Sequence, residues 1–103
     1  MSKFYETYDG YCVYTSGPNR GLYVHKVLCE EALGRPLNAG ERIHHRNHNR
    51  ADNSCSNLWI MRASDHSLVH AVGLEVALQR LKKRGVIYER LSANGPYRYT
   101  FRE

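Results

Sequence analysis

His44, His45, Asn57, His66 and His70 fall in the order H-H-x11-N-x8-H-x3-H. Three imidazoles and an Asn so spaced can hold one transition metal and leave His45 beside it, free to move a proton. A metal with an adjacent base is the minimum equipment for metal-assisted hydrolysis of a phosphodiester. No other stretch of the chain carries comparable chemistry.

The elements that must position these residues can be read from local pattern. Glu41–His45 is expected as a short strand, so His44 and His45 point to opposite sides of it. Arg46–Ser56 has no apolar periodicity and reads as a polar loop. Leu58–Met61 is a compact apolar run that returns as a second strand. A helix is expected from an N-cap at Ser64, with Asp65 in its first turn suiting the dipole, through His70, pausing at Gly73 and continuing to Arg84. His66 and His70 are i and i+4 on that helix and share one face. If the helix packs across the strand pair, His44 joins His66 and His70 around the metal and His45 stays unligated.

Before this unit, Lys3–Tyr8 and Tyr11–Thr15 read as a hairpin around the two-residue turn Asp9-Gly10. Tyr23–Leu33 has helical spacing, with Val24, Val27, Leu28 and Ala32 on one face, and Gly34 and Pro36 end it. After it, Val86–Leu91 and Tyr97–Phe101 read as a second hairpin. The fold class is α+β.

At 103 residues the chain fits one domain, 1–103, with its core at about 22–72. Lysine and arginine number 15 against 10 acidic residues, a net charge of +5 that suits a polyanionic partner. No apolar run approaches the roughly 18–20 residues of a spanning helix, and no apolar segment follows the N-terminal Lys3. A membrane role is therefore not expected, and a cytoplasmic location is, in the host cell if a phage or mobile element encodes the chain. Cys12, Cys29 and Cys55 form no C-x-x-C pair, so neither a zinc ribbon nor a disulfide framework is indicated. Cys12 and Cys29, among apolar residues, read as buried thiols.

The runs Gly34-Arg35-Pro36-Leu37, Gly40-Glu41-Arg42-Ile43-His44-His45, Asp52-Asn53, Ser56-Asn57-Leu58 and Asp65-His66-Ser67, with His70 beyond, resemble the HNH endonuclease family from about Leu22 to His70. Paired helix histidines are most similar to the colicin-type arrangement, although the 11-residue loop is shorter. The resemblance implies a ββα-metal core of strand, loop, strand and helix around one divalent ion. It implies His44 as first ligand, His45 as general base, Asn57 pinning the loop and orienting His45, and His66 and His70 completing the metal set. It also implies products with 5′-phosphate and 3′-hydroxyl ends. The cysteine pairs that brace many relatives are absent, which leaves the flanking hairpins and helices to stabilise the core.

The expected activity is metal-dependent cleavage of DNA, as a nick or a double-strand cut. Imidazole ligands favour zinc, nickel, manganese or cobalt over magnesium, which prefers oxygen. Arg46, Arg50 and Arg62 flank the site as phosphate contacts, with Lys82, Lys83 and Arg84 as further candidates. His48 is expected at the surface or behind the ligands, and His25 as a packing or surface residue. Tyrosines of the two hairpins can stack on bases or fill hairpin faces. A double-strand break would need a homodimer, two binding events or a larger nucleic-acid-processing complex. Two alternatives stay open: a non-catalytic, metal-stabilised nucleic-acid-binding module, and an RNase.

Overall fold

The computed structural model describes residues 4–102. Lys3, expected at the start of the first strand, lies outside them. The described elements are β1 (Phe4–Glu6), β2 (Cys12–Tyr14), α1 (Val24–Leu33), β3 (Glu41–His45), β4 (Leu58–Arg62), α2 (Ala63–Val72), α3 (Leu74–Lys83), β5 (Val86–Arg90) and β6 (Tyr97–Phe101), with a 3-10 turn at Cys55–Asn57 before β4. This is the expected α+β arrangement. No described helix is long and apolar enough to cross a membrane.

β4 organises the molecule. Leu58, Ile60 and Met61 are fully buried and Trp59 nearly so, because helices cover both faces of this strand. Leu58 and Ile60 pack with Cys29 of α1, and Leu28, Leu33, Leu37 and Ile43 close around them. Trp59 and Met61 face the other way, against Val69 of α2 and Ala77 of α3. A strand buried on both faces reads as an unbroken apolar run, which is what Leu-Trp-Ile-Met is. In α1 the buried residues are Val24, Val27 and Cys29. Ala32, expected on that face, is exposed.

The second hairpin does not stand apart. β6 pairs parallel with β4, so the sheet has four strands in the order β3-β4-β6-β5 and β3 is a free edge. Tyr97 of β6 stacks on Trp59 with ring centroids 4.3 Å apart. Tyr88 and Tyr99, cross-strand partners in the hairpin, each donate a hydroxyl to a buried carboxylate. Tyr88 Oη donates to Asp65 Oδ2 at 2.7 Å and Tyr99 Oη to Glu41 Oε2 at 3.0 Å. Each carboxylate also takes a two-pronged arginine: Arg62 on Asp65 and Arg35 on Glu41. The hydrogen bonds from Arg35 hold the Glu41 carboxyl at about 2. Neither acid was legible as a structural residue in the sequence, where Asp65 looked like a dipole partner at a helix start.

Two local expectations are corrected. The Asp9-Gly10 pair is the second half of a wider turn, closed by Gly10 N–H to the Thr7 carbonyl at 2.9 Å and Thr7 N–H to the Tyr11 carbonyl at 2.7 Å. Ser64 is not the N-cap: the helix begins at Ala63 after extended Arg62, with no side-chain cap. Asp65 lies in the first helical turn, as expected, with its carboxylate buried on Arg62 and Tyr88. The expected pause is at Gly73, where the chain takes φ 87°, a conformation that favours glycine, before α3 starts at Leu74.

Candidate active site

Strand alternation divides the two adjacent histidines. His44 lies opposite Trp59 and His45 opposite Leu58 in the β3–β4 register. Residues directly opposite share a face, so His44 stands on the α2 side of the sheet and His45 on the α1 side. α2 follows β4 without a loop and brings His66 and His70 over the end of β3. One ring nitrogen from each of His44, His66 and His70 lies within 4.8 Å of the others. The Nε2 atoms of His66 and His70 are 3.1 Å apart.

These three groups fit a metal ion. His44 Nε2 is buried and has no hydrogen-bond partner, an arrangement that costs free energy unless something binds that nitrogen. Burial, with the neighbouring histidines, holds His44 at about 4 and lowers His66 as well. Both shifts favour the neutral imidazole, the form that ligates. His48 also faces this cluster, its ring 5.4 Å from that of His44, from a backbone at φ 63°.

His45 is 6% exposed and has a different partner. Its Nε2 lies 3.1 Å from Asn53 Oδ1. With that oxygen accepting, Nε2 carries the proton and Nδ1 keeps the lone pair. Asn53 was not among the expected site residues; an Asn in a polar loop carries no signal that separates this role from a turn. Among the described residues no hydrogen bond joins the Asn57 side chain to His45. Asn57 does pin the loop, accepting from Asn47 N–H at 2.9 Å and donating to Asn47 Oδ1 and the Asp52 carbonyl. The loop between is a chain of Asn and Asp side chains capping nearby N–H groups, which fixes a segment that has no apolar anchor.

His25 of α1 is part of the same neighbourhood. Its ring stacks on Tyr11 at 5.0 Å and meets His45 edge-on at 5.3 Å, and burial holds it at about 4. His44, His45, His48, His66, His70, Tyr11 and Arg50 line one cavity of about 170 Å³.

The three arginines expected to flank the site have different fates. Arg50 lines the cavity, with its guanidinium 5.0 Å from the Tyr11 ring centre and one nitrogen on the Asp9 carbonyl. This contact, with Cys12 Sγ on the Ala51 carbonyl, ties the N-terminal hairpin to the site loop. Arg46 is exposed beside Trp59. Arg62 is engaged elsewhere: its Nε and one terminal nitrogen sit on Asp65 at 2.8 Å and it lies over Phe101. Lys82, Lys83 and Arg84 are at the far end of α3.

The buried histidines predict how stability follows pH. His25 and His44 sit at about 4, against an ordinary imidazole value of 6.5. Below pH 6.5 the unfolded chain binds protons that the folded chain refuses, so stability falls between about pH 6.5 and 4. Glu41 acts in another window, since its contribution is complete above its ordinary 4.5 and is lost only as pH falls toward about 2. The urea midpoint of protein kept in chelator should therefore drop between pH 7 and 5. A flat midpoint over that range would show that the histidines are not held neutral by the fold.

Residues 22–68 match a family described as HNH endonuclease. No curated protein and no solved structure matches the chain.

Proposed function

We propose, from the premise that residues 22–68 belong to the HNH endonuclease family, that this protein is a metal-dependent endonuclease hydrolysing DNA phosphodiester bonds. The observation that carries the reading is the split at the end of β3. His44 joins a three-histidine cluster while its neighbour His45, on the other face of the strand, is bonded to Asn53. A site that only stabilised a fold would have no use for a second, unligated histidine oriented by its own partner.

In this reading His44, His66 and His70 hold one divalent ion, with His66 and His70 kept in step by α2. When bound, the ion supplies Lewis-acid stabilisation of the charge growing on a non-bridging phosphate oxygen and on the leaving 3′ oxygen. His45 Nδ1 takes a proton from the attacking water. The water oxygen bonds to phosphorus, the bond from phosphorus to the 3′ oxygen breaks, and its electron pair stays on that oxygen until it is protonated. The ends formed are 5′-phosphate and 3′-hydroxyl. Asn57 acts at one remove, by holding the loop that carries Asn53. Arg50, facing the cavity, and Arg46 beside it contact phosphates; the place of Arg62 favours a structural role. Imidazole donors favour zinc, nickel, manganese or cobalt.

Purified protein should nick supercoiled plasmid when given manganese, nickel, cobalt or zinc, and the nicking should stop in excess chelator. Binding of plasmid without cleavage under any of these ions would favour a binding module. Faster cleavage of RNA than of DNA of the same sequence would make it an RNase.

A further inference from the structure

Beyond the histidine cavity the surface continues as a groove along the free edge of β3. The cavity and a second depression share Tyr11, Ile43 and His66. The second depression adds Lys26 from α1 and Arg42 from β3. The groove is therefore walled by Tyr11 and α1 on one side and by α2 on the other, with the edge strand between them. It runs from Arg50 at one end, past His45 and the three-histidine cluster, to Lys26 and Arg42 at the other.

The charge at that far end is uncompensated. Arg42 is exposed, and one of its nitrogens bonds the Ala39 and Glu41 carbonyls at 2.8 and 2.9 Å. Those bonds fix the guanidinium without neutralising it, and no acidic group is bonded to it among the described residues. Lys26 is exposed and likewise has no acidic partner among them. The one carboxylate lining this end, Glu41, is 4% exposed and already held by Arg35 and Tyr99. A polyanion lying in the groove thus meets fixed positive charge on both sides of the histidines and no exposed carboxylate in the lining. Placing cations on both sides of the reacting phosphodiester also fixes which phosphate sits at the cluster.

We propose that this groove is the DNA track, with Arg42 and Lys26 gripping backbone phosphates on the side of the histidine cluster opposite Arg50. The proposal rests on the nuclease reading for the identity of its ligand, and it assigns residues that the sequence did not single out. A bare charge argument would have favoured the Lys82-Lys83-Arg84 run instead. That run lies on α3, which packs against β5 at the opposite edge of the sheet.

The test is binding of a fluorescent mixed-sequence DNA duplex to the full chain in chelator, measured by anisotropy at several salt concentrations. Each phosphate contact contributes about 0.9 to the slope of log affinity against log salt. The double variant Lys26→Gln/Arg42→Gln should lose affinity at least tenfold at low salt and flatten the slope by about 1.8. The control Lys82→Gln/Lys83→Gln removes the same charge from the far edge and should change the slope by less than about 0.5. Lys26→Gln alone, which touches no hydrogen bond, should give about half the flattening and guards against a folding defect from Arg42. An unchanged slope in the groove variants, equal flattening in the control, or no binding by the parent protein would each overturn the proposal. Binding with the expected slopes but no plasmid cleavage under any metal would retain the groove and reject the nuclease reading. Cleavage with unaltered slopes in the groove variants would do the reverse.

Discussion

Replacing His45 with alanine is expected to lower DNA cleavage by about 10²–10⁴-fold, the usual contribution of a positioned general base. Metal affinity should stay within about twofold, because His45 is not one of the three clustered donors. The substitution opens a small space beside His25 and Tyr11, since the His45 side chain is buried among them. His45→Gln fills most of that space without supplying a base and should be equally inactive. Asn53→Ala leaves the ring in place but removes the acceptor on its Nε2. Its loss should be smaller, about ten- to a hundredfold, as for groups that orient a catalytic side chain. Single-turnover cleavage rates, with calorimetric metal titrations of each variant, separate these roles. If His45→Ala cut within a few-fold of the parent while still binding metal, the proton would be leaving by another route.

The second large effect concerns stability. Asp65→Ala should cost about 3 kcal/mol, the low end of the range for breaking a buried ion pair. Asp65 is 2% exposed and accepts from both arms of Arg62 and from Tyr88. Removing it leaves the Tyr88 hydroxyl and Arg62 without their partner. The cost stays at the low end because the Arg62 side chain is 32% exposed and regains part of its hydration. With a urea dependence of about 1–3 kcal/mol per molar for a small domain, the midpoint should fall by roughly 1–3 M. A fall of less than about 0.3 M would mean that the pair contributes little beyond its own desolvation. Asp65→Asn, which can still accept from Tyr88, should recover part of the loss. Because Asp65 immediately precedes His66, the same variants test whether the C-terminal hairpin, through Tyr88, steadies the start of the helix carrying two of the three donors.

Much of the fold was legible because its cues are local. β3, β6 and the break at Gly73 follow from a short strand pattern, a hairpin pattern and a helix-breaking glycine, and each was placed where it is found. Ser64 and Ala32 were misread because their local signals are ordinary and a tertiary competitor decides. The buried pair of Arg62 and Asp65 sets how the chain enters α2, and the side on which Cys29 meets β4 sets the buried face of α1. Arg62 illustrates the same limit at the site. A basic residue between the second strand and the helix reads as a phosphate contact, and only the structure shows it bonded to a buried carboxylate.

For the candidate site, the residue types and their spacing set which side each ring faces, and the packing of α2 over the end of β3 then brought His44, His66 and His70 together. The reason is physical: a strand alternates every residue and a helix repeats every turn, so two short periodicities place three rings and turn away a fourth. The sequence alone also set His44 and His45 apart. What only the tertiary structure decided are contacts between segments distant along the chain or lying in an aperiodic loop: Asn53 on His45, His25 and Tyr11 around that ring, and Tyr88 and Tyr99 on the two buried acids. It also decided that β3 is an edge of the sheet and β5 the opposite one, and hence that Lys26 and Arg42 lie on the histidine groove while the lysines of α3 do not. Strand order is a long-range property, and no local period encodes it.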